Sequence, residues 1–346
     1  MRVGQARAAA ANWVSAHARS APGYRGAYFS GSTVGRPDDA ELAPSSDVDV
    51  VVVTEEDTPP AKPGKLRYED ALLEISYVPW ADLRDPDAVL SSYHLAGSFR
   101  TDAVIDDPTG TLRGLYAAVS PRFAERSQVR RRCLDARHRV ESRLAAFDTS
   151  VPFHEQVPAW MFPTGVTTHV LLVAALRNPT VRLRYRAARD VLTTYGQPEL
   201  YPELLALLGC ADVSARQVRH HVAELTRTFD ATVPVARTPF FFSSDLTEQA
   251  RPIAVGGSLE LLDRGEHREA VFWIVATLAR CHTVLAVDAP ALHAARLPAF
   301  EAAVAELTGI TGTADILARR EEVTRFLPRL WTAAEAILAA NPETTG

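Results

Sequence analysis

The chain of 346 residues is long enough for two domains, or for one large domain with an appendage. Its hydrophobic content of 47% and charged content of 23% are typical of globular proteins, which excludes a chain that is disordered throughout. The net charge of −5 argues against a protein that binds nucleic acid through charge alone, and it favours a cationic or metal-bridged substrate.

The composition also bears on where the protein works. Nearly all the positive charge is arginine, since lysine occurs only at Lys62 and Lys65, and this bias indicates a GC-rich, bacterial genome. The three cysteines form no CxxC pair, which argues against a zinc site or a disulfide scaffold and suits a reducing compartment. No continuous apolar run reaches the roughly 18 residues that are needed to cross a bilayer. We therefore expect a cytoplasmic protein that has no membrane partner.

The first third of the chain alternates helix and strand patterns. An amphipathic helix opens the chain, and a short strand then ends at Gly31. A valine-rich run follows that is typical of a strand buried on both faces, and the next two strands form a hairpin that turns at Glu69 and Asp70. The predicted strands occupy 24–29, 48–54, 65–68, 71–78 and part of 99–110.

From about residue 110 the pattern changes to long helical periodicity, which continues to the end of the chain. These helical patterns occupy 125–147, 165–176, 184–194, 201–209, 214–229, 257–285, 298–308 and 321–340. The sequence therefore predicts an α+β protein. Residues 1–118 form a small mixed β-sheet domain with flanking helices, and residues 119–346 form an all-α domain.

Three acidic residues interrupt the apolar strands. Asp47 and Asp49 are two positions apart, so their side chains project from the same face of a strand. Glu74 joins them if its strand lies beside residues 48–54. Carboxylates in such a setting are costly unless a positive group compensates them, and a hard divalent cation held by oxygen ligands is the natural candidate. Magnesium usually combines carboxylates with substrate phosphates, so the cluster predicts a magnesium–nucleotide site.

Gly31 and Ser32 stand where the first strand ends. Glycine allows the backbone to approach a phosphate closely, and exposed N–H groups with a serine hydroxyl supply hydrogen-bond donors. Arg36 is a further candidate, because a guanidinium fork matches phosphate oxygens. A phosphate-binding turn next to an acidic strand pair is typical of phosphoryl or nucleotidyl transfer.

The ordered set of these residues resembles the polymerase-β-type nucleotidyltransferase superfamily. Within it, the chain is most similar to the kanamycin (aminoglycoside) nucleotidyltransferase-type proteins. The resemblance covers about residues 20–80, and beyond that only the helical layout and the lengths agree. It is carried by Gly31-Ser32, Gly35-Arg36, Ser46-Asp47-Val48-Asp49 and Glu74.

The resemblance implies that residues 1–118 are a nucleotidyltransferase domain and that the helical domain forms the acceptor side. Asp47, Asp49 and Glu74 would bind Mg²⁺ and carry the catalysis. The nucleoside triphosphate, with ATP expected, would be held by Gly31, Ser32, Arg36 and Ser46. In the antibiotic-modifying members a glutamate of the helical domain acts as base, and Glu141 lies at about the corresponding place, although Ala145 stands where those members have a lysine. A homodimer is also implied by the resemblance.

The expected reaction transfers a nucleotide to a hydroxyl of a small, aminoglycoside-like or other polyhydroxy acceptor and releases pyrophosphate. One metal ion would lower the pKa of the acceptor hydroxyl, and the other would neutralise charge on the leaving pyrophosphate. Catalysis of this kind depends mostly on positioning and electrostatics, so the acids indicate the reaction type far better than the acceptor.

Several alternatives stay open at this point. In one alternative the enzyme transfers the nucleotide to a macromolecule, either a protein, as in antitoxin-type AMPylators, or an RNA end. In another, the chain binds a nucleotide without turnover. Two arginine groups, in 122–137 and 177–189, keep an RNA-related substrate in view, although a solvated helix surface explains the first one better. In the simplest alternative, Asp47 and Asp49 are a solvated strand end and Glu74 is a surface residue. His154 and His169 could approach an acceptor, but a core or surface role suits both better.

Overall fold

The computed structural model describes residues 1–58, 60 and 62–346, and these residues form two compact units. The first, here called the sheet unit, contains 1–132 together with 243–250 and 343–346. The second, the helical unit, contains 133–242 and 251–342. The predicted boundary at 118/119 thus lies inside the sheet unit, and two later segments of the chain return to that unit.

The sheet unit is built on one five-stranded mixed sheet. Its strand order is β3-β4-β2-β1-β5, in which β2 and β4 run parallel and every other neighbouring pair is antiparallel. Because a mixed sheet is accompanied by many helices, the α+β class is confirmed. The strands are β1 (Tyr24–Ser30), β2 (Val48–Thr54), β3 (Gly64–Tyr68), β4 (Ala71–Pro79) and β5 (Val104–Asp106).

The predicted hairpin is present as β3 and β4. Glu69 and Asp70 form its two-residue turn, and both have positive φ, 46° and 66°. This left-handed pair is typical of the tight hairpin turn whose twist matches that of the flanking strands. A two-residue turn also fixes the register, and Lys65 is therefore paired with Glu74 across the two strands.

The two faces of β2 bury different helices. Val48, Val50 and Val52 lie in one core with the apolar side of α1 (Val3–Trp13). Val51 and Val53 lie in a second core on the opposite face. That second core is completed by α2 (Pro86–Ser91) and α3 (Thr111–Val119). Asp49 shares the face of Val51 and Val53, because side chains alternate along a strand.

The remaining helices occur at the predicted periodic segments, but three of them begin earlier than predicted, at 153 instead of 165, at 290 instead of 298 and at 313 instead of 321. One predicted helix is also divided. The predicted helix over 257–285 is two helices, because Gly265 adopts a left-handed φ of 75° and ends the first of them. The helices are α4 (Arg126–Ala145), α5 (Phe153–Ala174), α6 (Arg184–Thr194), α7 (Leu200–Leu208), α8 (Ala215–Thr232), α9 (Gly257–Asp263), α10 (His267–Asp288), α11 (Pro290–Thr308) and α12 (Thr313–Ala340).

Two of these helices, α5 and α10, are long and apolar enough to cross a membrane by length and composition. In both, 83% of the apolar window is buried inside the protein. Such burial is typical of the central helices of a globular core, in which a helix is apolar on all sides.

Candidate metal centre

The parallel pairing of β2 and β4 brings the predicted acids together. Asp49 and Glu74 are direct neighbours in the register, and Asp47 immediately precedes β2. One oxygen from each of the three carboxylates lies within 4.8 Å of the others, and all three side chains are half-buried. Within the described residues, this is the one group of three acidic, histidine or cysteine side chains close enough to share a metal ion. The predicted cluster of Asp47, Asp49 and Glu74 is therefore present.

Gly31 makes room for the Asp49 carboxylate. It begins a short 3₁₀ turn, Gly31–Thr33, directly after β1, and its φ is 65°. A Cβ atom at this position would overlap the Oδ2 atom of Asp49. The backbone N–H of Ser32 donates a hydrogen bond to the same carboxylate. The turn after β1 therefore needs glycine for two reasons, its left-handed backbone and the closeness of Asp49.

A cation of the protein itself already contacts the cluster. Lys65 Nζ donates a hydrogen bond to Asp47 Oδ2 at 2.7 Å and a second one to Glu74 Oε2. The Lys65 side chain is only 4% exposed. A buried ammonium requires anionic partners, and these two carboxylates supply them.

Asp245 is a fourth acid at this place, and it comes from a distant part of the chain. Its Oδ1 atom lies 3.6 Å from Lys65 Nζ. The segment 243–250 that carries it packs beside β3, where Gly64 leaves space for Ser244. A Cβ atom on Gly64 would lie 2.9 Å from the Cβ atom of Ser244.

Sequence reasoning missed Lys65 and Asp245 for different reasons. The predicted hairpin already contained the signal for Lys65, since a turn at Glu69 and Asp70 sets residue 65 opposite residue 74. No local pattern marks Asp245, because its contact with Lys65 spans 180 residues and depends on how a helical segment returns to the sheet.

The electrostatics of the cluster are those of crowded, poorly solvated carboxylates. Burial, and next the neighbouring charges of Asp47 and Glu74, raise the pKa of Asp49 well above its ordinary value. Burial also raises the pKa of Glu74, although Lys65 opposes this effect. Asp47, Glu74 and Asp245 together raise the pKa of Lys65 against the opposing effect of its burial, so its ammonium stays charged. The site carries an excess of negative charge that a further cation would relieve.

The residues present fit a hard divalent cation. The three carboxylates offer oxygen ligands, which Mg²⁺ prefers, and the glycine cradle holds Asp49 in place. The bound ammonium of Lys65 shows that the cluster accepts positive charge.

Two predicted nucleotide-binding residues belong to the loop between β1 and β2. Ser46 directly precedes Asp47, and its N–H donates to the carbonyl of Ala43 at 3.0 Å. The guanidinium of Arg36 donates to the carbonyl of Glu41 at 2.8 Å, within the same loop. A role for Arg36 on a phosphate therefore requires that it give up this hydrogen bond.

Glu141, the predicted base, belongs to the helical unit rather than to the sheet unit. It lies on α4, and its side chain is 41% exposed. Arg137, one turn earlier, donates to Glu141 Oε1 at 2.9 Å. This is an ordinary i, i+4 ion pair on a helix surface. The assignment of Glu141 as a base stays a prediction.

His154 and His169, the two histidines considered from the sequence, are core residues, as is His282. His154 and His169 lie on α5 and are 5% and 4% exposed, and His282 on α10 is fully buried. Burial, together with the nearby His293, lowers the pKa of His154 to about 4 and that of His282 to about 3. Burial and the charge of Arg184 lower the pKa of His169 to about 3. All three are neutral at pH 7, which suits core packing.

These depressed pKa values predict acid sensitivity. In the unfolded chain these histidines take up protons near pH 6.5, whereas in the folded chain they stay neutral until about pH 4 or below. Their contribution to the free energy of unfolding is therefore complete above pH 6.5 and is lost as the pH falls. Each histidine contributes up to about 1.4 kcal/mol per pH unit to this loss. We expect His282→Gln to show a shallower decline of the free energy of unfolding between pH 6.5 and 4.5. Exposed His138→Gln is the control, and an equal slope in both variants would refute the prediction.

Comparison with known proteins adds no relative to this description. No known protein family matches the chain, and no curated protein is similar enough to count as a match.

Proposed function

We propose that the protein is a magnesium-dependent nucleotidyltransferase, which moves a nucleoside monophosphate from a nucleoside triphosphate to a hydroxyl acceptor. The observation that carries the proposal is the meeting of Asp47, Asp49 and Glu74 beside the turn at Gly31 and Ser32. Acids at two parallel neighbouring strands, next to a glycine turn with backbone donors, suit the metal ion and the phosphates of such a reaction.

Each group has a definite part in the proposed reaction. The three carboxylates would hold Mg²⁺, which lowers the pKa of an acceptor hydroxyl and neutralises charge on pyrophosphate. The turn at Gly31 and Ser32 would bind the triphosphate through its backbone N–H groups and the Ser32 hydroxyl, and the Ser32 N–H would have to give up its hydrogen bond to Asp49. The acceptor oxygen forms a bond to the α-phosphorus, the bond from that phosphorus to the bridging oxygen of the β-phosphate breaks, and pyrophosphate leaves. The proton of the acceptor hydroxyl leaves to water or to a base.

The orientation of Glu74 favours turnover over a nucleotide-binding protein without catalysis. A site that bound a nucleotide without catalysis would not need a third carboxylate beside the two aspartates. Glu74 is paired with Asp49 in the register and contributes an oxygen to the cluster, instead of facing away from it.

The second arginine group favours a small acceptor over RNA, because its members have partners inside the helical unit. Arg184 is buried, and Arg189 donates to Glu266 and Glu269 at 2.7 Å each. Arg186 lies 3.3 Å from Glu266, and Arg182 donates to the carbonyl of Gly257. Guanidinium groups that are committed to carboxylates or backbone carbonyls of their own unit contribute little to phosphate contacts.

The experiment is a pyrophosphate-release assay with each of the four nucleoside triphosphates, magnesium, and a panel of aminoglycosides and other polyhydroxy compounds. We expect release that requires both magnesium and an acceptor, with a mass gain of one nucleotide on the acceptor. Release that continues in EDTA, or that needs no acceptor, would contradict the proposal. A mass gain on a protein or an RNA in place of a small molecule would identify the macromolecular alternative.

A further inference from the structure

The position of Lys65 within the acidic cluster suggests more than a stabilising ion pair. Its Nζ atom joins Asp47 Oδ2, just before β2, and Glu74 Oε2, on the parallel neighbour β4. A metal ion that bridged these two residues would use the same oxygens. The lysine is placed there by the β3–β4 register, and its side chain is only 4% exposed to solvent.

The oxygens that remain suit one further cation. Asp47 and Glu74 each keep a second carboxylate oxygen, and Asp49 makes no hydrogen bond with Lys65 among those described. The three carboxylates carry three negative charges when ionised, which one ammonium and one divalent ion balance, and Asp245 adds a fourth negative charge beside the ammonium. A second divalent ion close to the same oxygens would be repelled by the ammonium and would lack ligands.

Asp245 keeps the lysine in this place. At 3.6 Å it adds a third anionic partner to Lys65, and it is not one of the three residues that could share a metal ion. The ammonium is therefore held by Asp47 just before β2, by Glu74 on β4 and by Asp245 of the returning segment 243–250. Such a surrounded charge is a fixed part of the site rather than a mobile surface group.

We propose that Lys65 serves as a built-in cation that takes the place of one of two metal ions, so that Asp47, Asp49 and Glu74 bind a single divalent cation. The inference rests on the proposed function, because it assigns a charge to the same site. Lys65 is a positioning residue here: it neutralises and orients Asp47 and Glu74 for the metal ion and moves no proton.

The test counts Mn²⁺ ions bound by the full-length, chelator-treated protein, with free Mn²⁺ followed by electron paramagnetic resonance. We expect one ion per chain in the wild type and none in Asp49→Asn. Lys65→Met removes the ammonium with little change of shape, and we expect it to bind two. If the methionine variant does not fold, Lys65→Gln replaces it, because glutamine keeps polar contacts with the acids. We expect two Mn²⁺ ions per chain in that variant as well. Exposed Lys62→Met is the matched control and should bind one.

Two ions in the wild type, or one ion in a folded, uncharged Lys65 variant, would overturn the inference. So would a wild type that binds none while the Lys65 variants bind, since Lys65 would then block the metal site instead of completing it. Failure of the proposed function gives a different result: no Mn²⁺ binds to any of the proteins, because the acids then form no metal site.

Discussion

Asp49→Asn is expected to abolish nucleotidyl transfer and, at the same time, to make the metal-free protein more stable. The asparagine keeps the shape of the side chain but loses the charge that would bind magnesium, and we expect a loss of at least about 10³-fold in kcat/KM, or about 4 kcal/mol of transition-state stabilisation. The gain in stability follows because burial and the charges of Asp47 and Glu74 disfavour the ionised Asp49 carboxylate.

The stability gain has a defined pH dependence. A carboxyl group whose folded pKa is raised contributes stability at low pH, and this contribution is lost as the pH rises through the folded pKa. The variant lacks this loss, so it should be more stable than the wild type at pH 8, and the difference should disappear near pH 4. Thermal unfolding of both proteins in EDTA at the two pH values measures it. A variant that is less stable than the wild type at pH 8 would contradict the account.

Gly31→Ala is expected to cost both stability and activity. An alanine pays about 1–2 kcal/mol for the left-handed backbone at φ 65°, and its Cβ atom would overlap Asp49 Oδ2. Relief of that overlap must move the turn or the carboxylate, so we expect a total loss of about 2–4 kcal/mol and no detectable transfer. Chemical denaturation and the pyrophosphate assay measure the two effects.

Gly35→Ala is the matched control for this substitution. Gly35 lies in the same loop and has a similar φ of 75°, but a Cβ atom there meets no other atom within 4 Å. It should show the backbone cost alone, about 1–2 kcal/mol, and keep its activity. If the two alanine variants behave alike, the contact between Gly31 and Asp49 does not matter, and the role assigned to the turn is wrong.

The sheet was predictable because its signals are local. The alternation of valines with Asp49, and a turn at Glu69 and Asp70, were enough to place β2, β3 and β4 correctly. The meeting of Glu74 with the aspartates needed one further assumption, that its strand lies beside residues 48–54, and the parallel register of β2 and β4 confirms it. Periodicity and turn chemistry are short-range properties, which a sequence shows directly.

The parts that the sequence did not predict depend on long-range contacts. The return of residues 243–250 to β3 carries no local signature, and so neither Asp245 nor the division of the chain at 132/133 was foreseen. The break at Gly265 was missed because a glycine inside a periodic segment is often tolerated, and only its left-handed backbone shows that the helix ends there. The helical domain, which was expected to bind the acceptor, has no comparable motif. The pyrophosphate-release assay with a panel of acceptors is therefore the way to identify the acceptor.

Every role proposed above depends on Asp47, Asp49 and Glu74 forming a site for a metal–nucleotide complex. The most direct test is calorimetric titration of the wild type and Asp49→Asn with α,β-methylene analogues of the four nucleoside triphosphates, each with magnesium and in EDTA. We expect the wild type to bind at least one analogue in the presence of magnesium. Binding should be at least tenfold weaker in EDTA, and at least tenfold weaker in the variant. Equal affinity under all these conditions, or no binding of any analogue, would contradict it.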